Sequence, residues 1–395
     1  MNILMLTPTY PPTQGGVQTQ VKLLAEELNR REHKISVITE EVENAPEMEE
    51  ENSIEIFRLK DPFRLKDANF KFDPWRSYFF IKQNIDEIEK IVREEKADIL
   101  HVHHADMSFA YAYLLKKYFD IPIVSTIHVS WLADPIYRRW RLDIKEPIRR
   151  TFRLLPGLWF DKKSILSSDF VITISKQFER ICERIRGDGK VATIPNAIDL
   201  NQFNPDVRPT EFNCRGYKIL CPARISPEKG QIYLIDALKT VNESTNAHVF
   251  FMGSGNPKEE KKLKNRVCEL GLEKYVHFLI PQPYDMVPGF YKAADLIALP
   301  STSESSGLVI IENMALGNVV VASNVGGIPE LIEHEETGLL TPPGESKPLA
   351  ETIIRALEDE ELREKIRINA VKKAKNYGVE KNVEKIELIY QKVTN

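Results

Sequence analysis

The chain has 395 residues, 42% hydrophobic and 28% charged, a globular balance that excludes a small disulfide scaffold and a disordered chain. Its formal net charge of −4 is spread over both halves, which argues against a nucleic-acid partner. Cys182, Cys214, Cys221 and Cys268 form no CxxC pair and no zinc-ligand spacing, and no apolar run reaches membrane-spanning length, so a cytoplasmic protein is expected.

Ile3–Leu6 reads as a short apolar strand, followed by a Pro-rich loop from Pro8 to Gly16. Val17, Val21, Leu24, Ala25 and Leu28 then recur at helical spacing, and Ile35–Ile38 reads as the second strand. Seven Glu between Glu40 and Glu51, with no Lys or Arg among them, read as a solvated loop. Further strands are expected at Ile54–Leu59, Ile99–His103, Ile123–His128, Phe170–Ser175 and Val191–Pro195. Turn residues from Asn204 to Gly216 then break the pattern. Alternation restarts with Ile219–Ala223, Val249–Gly253, Val276–Leu279, Leu296–Pro300, Val319–Ser323 and Leu339–Thr341. Val383, Ile386, Ile389 and Tyr390 mark a terminal helix. The prediction is an α/β chain of two Rossmann-like domains, 1–205 and 206–375, with a helix at 376–395 available to pack back on the first.

The segment richest in chemistry runs from Pro300 to Gly317. It follows a strand and opens a helix, where unpaired backbone amides and the positive dipole end can hold a phosphate. Gly307 lets the backbone approach such a group. Glu304 and Glu312, eight residues apart, are poor phosphate ligands but good acceptors for sugar or ribose hydroxyls. Arg224 and Lys229 stand beyond the first strand of the second domain, placed to neutralise a departing diphosphate. A ligand with hydroxyl-rich ends and a phosphate middle is a nucleotide sugar. No DxD motif stands out for a bridging metal, so a metal-independent reaction without a cofactor is expected. The first turn, Pro8 to Gly16, lacks the G-x-G-x-x-G of a dinucleotide-dependent oxidoreductase.

With Glu304-x7-Glu312, Arg224 with Lys229, and Gly15-Gly16 before the first helix, the chain resembles the retaining GT-B glycosyltransferases of family 4. Pro195–Asp199, Gly326–Glu330 and Thr337–Leu340 support the likeness, which covers nearly the whole chain. The resemblance implies a GT-B fold, two Rossmann-like domains facing a central cleft. It implies that Glu312 binds donor ribose and Glu304 the donor sugar. The amides of Gly307, Leu308 and Val309, with Arg224 and Lys229, would hold the diphosphate. Gly16 and Gly15 would approach the diphosphate or acceptor, and His128 would contact the transferred sugar. The leaving diphosphate would deprotonate a hydroxyl acceptor on the same face; a double displacement would instead make Glu304 the nucleophile. An epimerase of the same fold, or a non-catalytic nucleotide-sugar-binding regulator, would use the same donor site. Ala197, Ile280 and Asn313 depart from the family's usual Gly, Gly and Ala.

Two stretches remain. Residues 57–82 carry a net charge of +4 and 136–163 a net of +6, both interleaved with aromatics. They suit peripheral contact with an anionic membrane, or helices packed on the domain with Arg stems over apolar surface. His101, His103 and His104 cluster at a strand end, but no nearby carboxylate completes a metal-ligand pattern, so a structural or cleft-lining role is expected.

Overall fold

A computed structural model describes residues 1–13, 15–61, 74–104, 110–128, 147–304 and 306–395, and only the backbone of 74 and 147–154. The chain forms two compact units, Met1–Ala197 with Val379–Asn395, and Ile198–Gly378.

The first unit contains β1 (Asn2–Leu6), β2 (Lys34–Glu40), β3 (Met48–Glu51), β4 (Ile54–Leu59), β5 (Ile99–His104), β6 (Ile123–Ile127), β7 (Phe170–Thr173) and β8 (Val191–Thr193). They form one sheet in the order β3-β4-β2-β1-β5-β6-β7-β8, parallel except for β3 against β4. Its helices are α1 (Gly16–Arg30), α2 (Pro74–Glu94), α3 (Tyr111–Tyr118), α4 (Pro147–Ser167) and α5 (Lys176–Arg186). Side chains alternate across β1, so one short apolar strand feeds two cores. Ile3 and Met5 pack with Val21 and Leu28 of α1, and Leu4 and Leu6 with Phe80 and Ile88 of α2.

The second unit contains β9 (Tyr217–Cys221), β10 (Ala247–Met252), β11 (Val276–Leu279), β12 (Leu296–Leu299), β13 (Val320–Ser323) and β14 (Leu339–Thr341). These form a wholly parallel sheet ordered β11-β10-β9-β12-β13-β14. Around it run α6 (Gln231–Ser244), α7 (Pro257–Glu269), α8 (Val287–Ala293), α9 (Leu308–Leu316), α10 (Ile328–Leu331), α11 (Ser346–Glu358) and α12 (Glu360–Ala374). The last helix, α13 (Val379–Thr394), belongs to the first unit, where Val383, Ile386, Ile389 and Tyr390 join the core beneath α1.

The chain leaves the first unit at Ala197, before the turn-rich stretch expected to divide it near 205. Ile198 and Phe203 are buried with Leu220 and Ile297 in the second unit's core, and burial of so much apolar surface outweighs the turn composition around them. The acidic run is also structured. Glu40 ends β2 and is buried, and Met48–Glu51 form the antiparallel edge strand β3. Lys22 on α1 pairs with Glu51 at 2.7 Å, and Arg58 on β4 pairs with Glu49, supplying the charge balance that the run itself lacks.

Candidate active site

β9 and β12 are adjacent and parallel, so the loops leaving their C-terminal ends run side by side. The β9 loop closes in a short turn at Pro227–Lys229 and then Gly230, at φ 66°, where a Cβ would collide with the Pro300 carbonyl oxygen. The Glu228 carbonyl accepts the amide of Thr302 at 2.8 Å, stitching the two loops together. Lys229 Nζ consequently lies 2.6 Å from Glu304 Oε2, with both side chains about four-fifths buried. Arg224, on the same loop, is 68% exposed, and its guanidinium reaches Glu228 Oε1 at 3.1 Å. Ser226 Oγ donates to that same oxygen at 2.6 Å, so Glu228 aims the Arg224 side chain.

Glu304 is held from behind. Gly327 N donates to its carbonyl at 3.1 Å, and a Cβ on Gly326, at φ 60°, would run into that carbonyl. Gly307 adopts a left-handed conformation immediately before α9. Its close neighbours are the side chains of Ile310 and Leu331, so glycine serves the turn itself. The amides of Leu308 and Val309 open the first turn of α9, where helix geometry offers no intrahelical acceptor. Loops and helix together set two cations, Arg224 and Lys229, and the first-turn amides of α9 near Glu304 and Glu312, donors and acceptors suited to an anion flanked by hydroxyls.

Glu312 lies further along α9 and is 2% exposed. Tyr284 Oη donates to its Oε1 at 2.9 Å, and Tyr291 of α8 hydrogen-bonds it as well. Burial outweighs these bonds and pushes the carboxyl up to about 7. Its neighbour Asn313 anchors a buried amide network. Asn318 Nδ2 donates to Asn313 Oδ1 and to the Tyr291 carbonyl, both at 2.8 Å, fastening α8 beside α9.

In the first unit, Gly16 opens α1, and the carbonyl of Gly15 accepts both the amide and the hydroxyl of Thr19 at 3.1 Å. His128 follows β6 and is 5% exposed. Its Nε2 lies 3.2 Å from His103 Nδ1, and both rings line a cavity of about 40 Å³ with Gln20, Thr126 and Asn196. His101 joins Tyr390 Oη of α13 at 2.6 Å and Thr126 Oγ1 at 2.8 Å, while His104 meets Ser125 Oγ at 3.1 Å. Desolvation lowers His128 to about 4 and His101 to about 3, and holds His103 well below its ordinary value. His101, His103 and His128 are therefore neutral at physiological pH, held by hydrogen bonds rather than charge. Ala197 has no positive φ and so needs no glycine; the Gln20 amide grips its N–H and C=O, each at 2.7 Å.

Arg224, Lys229, Glu304, Gly307, Leu308, Val309 and Glu312 thus lie on the second unit, and Gly15, Gly16 and His128 on the first. The family model for glycosyl transferases group 1 matches residues 204–373, and that for glycosyltransferase family 4 matches residues 14–202. An uncharacterized glycosyltransferase of Methanocaldococcus jannaschii is 30% identical over 393 residues, 94% of this chain and 93% of the relative. The chain belongs to glycosyltransferase family 4.

Solved structures show that this glycosyltransferase has the GT-B fold. Sucrose-phosphate synthase from Thermosynechococcus elongatus superposes with a TM-score of 0.82 at 22% identity, covering 99% of this chain and 98% of that one. Anabaena HepE, solved in complex with UDP-glucose, superposes at 0.73 with 21% identity, covering 99% of each chain.

The glycosyltransferase's site has parts that sequence reasoning did not find. Tyr284 and Tyr291 lie in a loop and a helix whose local sequence carries no sign that they reach Glu312. Gly326-Gly327, which precede α10, fix the backbone of Glu304. The strand pattern held one usable signal for the first unit: His101 and His103 share a strand face, and their ring centroids are 4.2 Å apart.

Proposed function

We propose that the enzyme moves a sugar from a nucleotide-diphosphate sugar to a hydroxyl acceptor, with retention of configuration and without a metal. The observation that carries this reading is the pairing of Lys229 with Glu304 beside the start of α9, a cation and a hydroxyl acceptor at one strand edge. The bound UDP-glucose of Anabaena HepE supports a nucleotide sugar as the donor class.

In this reading the diphosphate takes the ammonium of Lys229, the guanidinium of Arg224 and the amides of Gly307, Leu308 and Val309. These donors are fixed before the reaction and meet the negative charge that grows on the leaving group. Glu312 accepts from the ribose hydroxyls and Glu304 from those of the sugar. His128, neutral and held by His103, hydrogen-bonds the transferred sugar, and the Gly15-Gly16 turn approaches the diphosphate or acceptor. The leaving phosphate oxygen takes the acceptor's proton on the face it departs from, so the protein supplies orientation rather than a nucleophile.

The test is a thermal-shift screen of UDP-, GDP- and ADP-sugars, followed by product analysis with and without hydroxyl acceptors. A stabilising donor and acceptor-dependent transfer with retained anomeric configuration are expected. Epimerised donor in the absence of acceptor would establish an epimerase instead. Binding without turnover against any acceptor would leave a nucleotide-sugar-binding regulator.

A further inference from the structure

Three helices of the first unit carry large apolar side chains into solvent. Trp75 and Phe79 are one turn apart on α2, Leu155 and Trp159 one turn apart on α4, and Tyr118 ends α3; all are between 43% and 61% exposed. The exposed rings are tied together through the buried Phe160 and through Tyr113. Trp75 packs edge-on against Phe160 at 5.5 Å, and Trp159 packs against Phe160 at 5.0 Å and Tyr113 of α3 at 5.3 Å.

Lysines frame these rings. Lys117 Nζ lies 4.1 Å from the Tyr113 ring centre, Lys163 Nζ 5.8 Å from that of Trp159, and Lys82 Nζ 2.6 Å from Tyr118 Oη. Residues 75–82, 111–118 and 155–163 contain a single carboxylate, Asp161, and it is buried. Other basic residues of the first stretch are engaged within the fold. Arg58 is buried against Glu49 and the Pro11 and Pro46 carbonyls, and Arg76 pairs with Glu40 and Asp61. Residues 62–73 and 136–146, and the side chains of 147–154, lie outside the described residues.

A patch of this kind is unusual on a surface that meets only water. Its lysines argue against a second protein, because protein–protein interface cores are depleted of Lys. Rings at headgroup depth with ammonium groups reaching lipid phosphates are the composition of a bilayer interface. No helix among the described residues is long and apolar enough to cross a membrane, so the contact is peripheral.

We propose that the α2–α3–α4 face of the first unit docks on an anionic lipid bilayer, with Trp75, Phe79 and Trp159 entering the headgroup region and Lys82, Lys117 and Lys163 on lipid phosphates. The inference stands apart from the donor assignment. The full chain is sedimented with vesicles of phosphatidylcholine alone or mixed with phosphatidylglycerol. Binding is expected to the mixed vesicles, to weaken as salt rises, and to fall roughly tenfold or more in Trp75→Ser/Trp159→Ser. The Trp159→Phe variant should keep most of it, and an unchanged melting temperature in each variant shows that the fold survives. A second readout uses Trp131→Phe/Trp140→Phe, which leaves Trp75 and Trp159 as the fluorophores; lipids with a quencher near the headgroup should quench them. Absence of binding to mixed vesicles at low salt overturns the proposal, as does binding that the serine variants leave unchanged. Self-association that the same variants abolish, without vesicle binding, makes the face an interface between copies and also overturns it.

Discussion

Lys229 Nζ donates to Glu304 Oε2 at 2.6 Å, joining two adjacent strand-end loops of the second sheet through an ion pair about four-fifths buried. In the proposed reaction both partners exchange this bond for the donor, the ammonium turning to phosphate and the carboxylate to sugar hydroxyls. Lys229→Met is therefore expected to weaken donor binding about 10- to 150-fold, the equivalent of one lost charged hydrogen bond. Glu304→Gln should behave differently. It frees Lys229, so affinity for the nucleoside diphosphate alone holds or rises while turnover of the complete donor falls. Calorimetry on the diphosphate beside steady-state rates on the donor separates these effects; unchanged turnover in Glu304→Gln removes that residue from the site.

Glu312 gives the donor site a pH dependence. Burial raises its carboxyl to about 7, so in the free enzyme it is largely protonated below that pH. Ribose hydroxyls favour the ionised form, and donor binding should release a proton between about pH 5 and 7. Affinity then rises with pH through that window and levels off above it. Calorimetry at pH 6 in buffers of different ionisation enthalpy measures the released proton. Glu312→Gln, which can still accept from Tyr284, should abolish both the release and the slope.

The buried histidines give stability a pH dependence of its own. Desolvation lowers His128 to about 4 and His101 to about 3, so the folded state resists protons that the unfolded chain binds near 6.5. Stability is complete above 6.5 and declines as pH falls from there toward 4 and below. His128 alone accounts for a loss on the order of 3 kcal/mol by pH 4. Urea melts across that range should show the decline. NMR titration should find no His128 transition near 6.5; a transition there would contradict the neutral, bonded ring.

Asn313 is fully buried and bonded to Asn318, which also holds the Tyr291 carbonyl. Asn313→Ala strips Asn318 of one partner and is expected to cost about 1–3 kcal/mol of stability. Because Tyr291 is the second tyrosine on Glu312, donor affinity should weaken as well. A melt within error of the wild type would show that the network is dispensable.

Central strands were legible because parallel strands buried on both faces read as short apolar runs, as at Ile3–Leu6 and Val319–Ser323. Strand β3 was hidden because its Glu side chains find Lys22 and Arg58 only after folding. The crossing at Ala197 was hidden for a related reason: Ile198 and Phe203 look like turn neighbours until the second core covers them. In the site, Glu312 stands in the sequence amid Ile310, Ile311, Met314 and Ala315, a setting that marks a buried carboxylate. Its tyrosine partners come from positions with no periodic relation to it, so only the fold reveals them. The aromatic runs were visible too, but Arg58 and Arg76 prove to be internal fasteners.

The return of α13 to the first unit reverses the usual order of assembly on a ribosome. Residues 1–197 emerge first, yet their core lacks Val383, Ile386 and Ile389, and His101 lacks Tyr390. The contiguous stretch Ile198–Gly378 carries its own sheet and core, and is ready to close while the earlier residues still wait. The first unit synthesised is therefore the last completed, and released chains that end at Gly378 should display a protease-resistant second unit beside a sensitive first one.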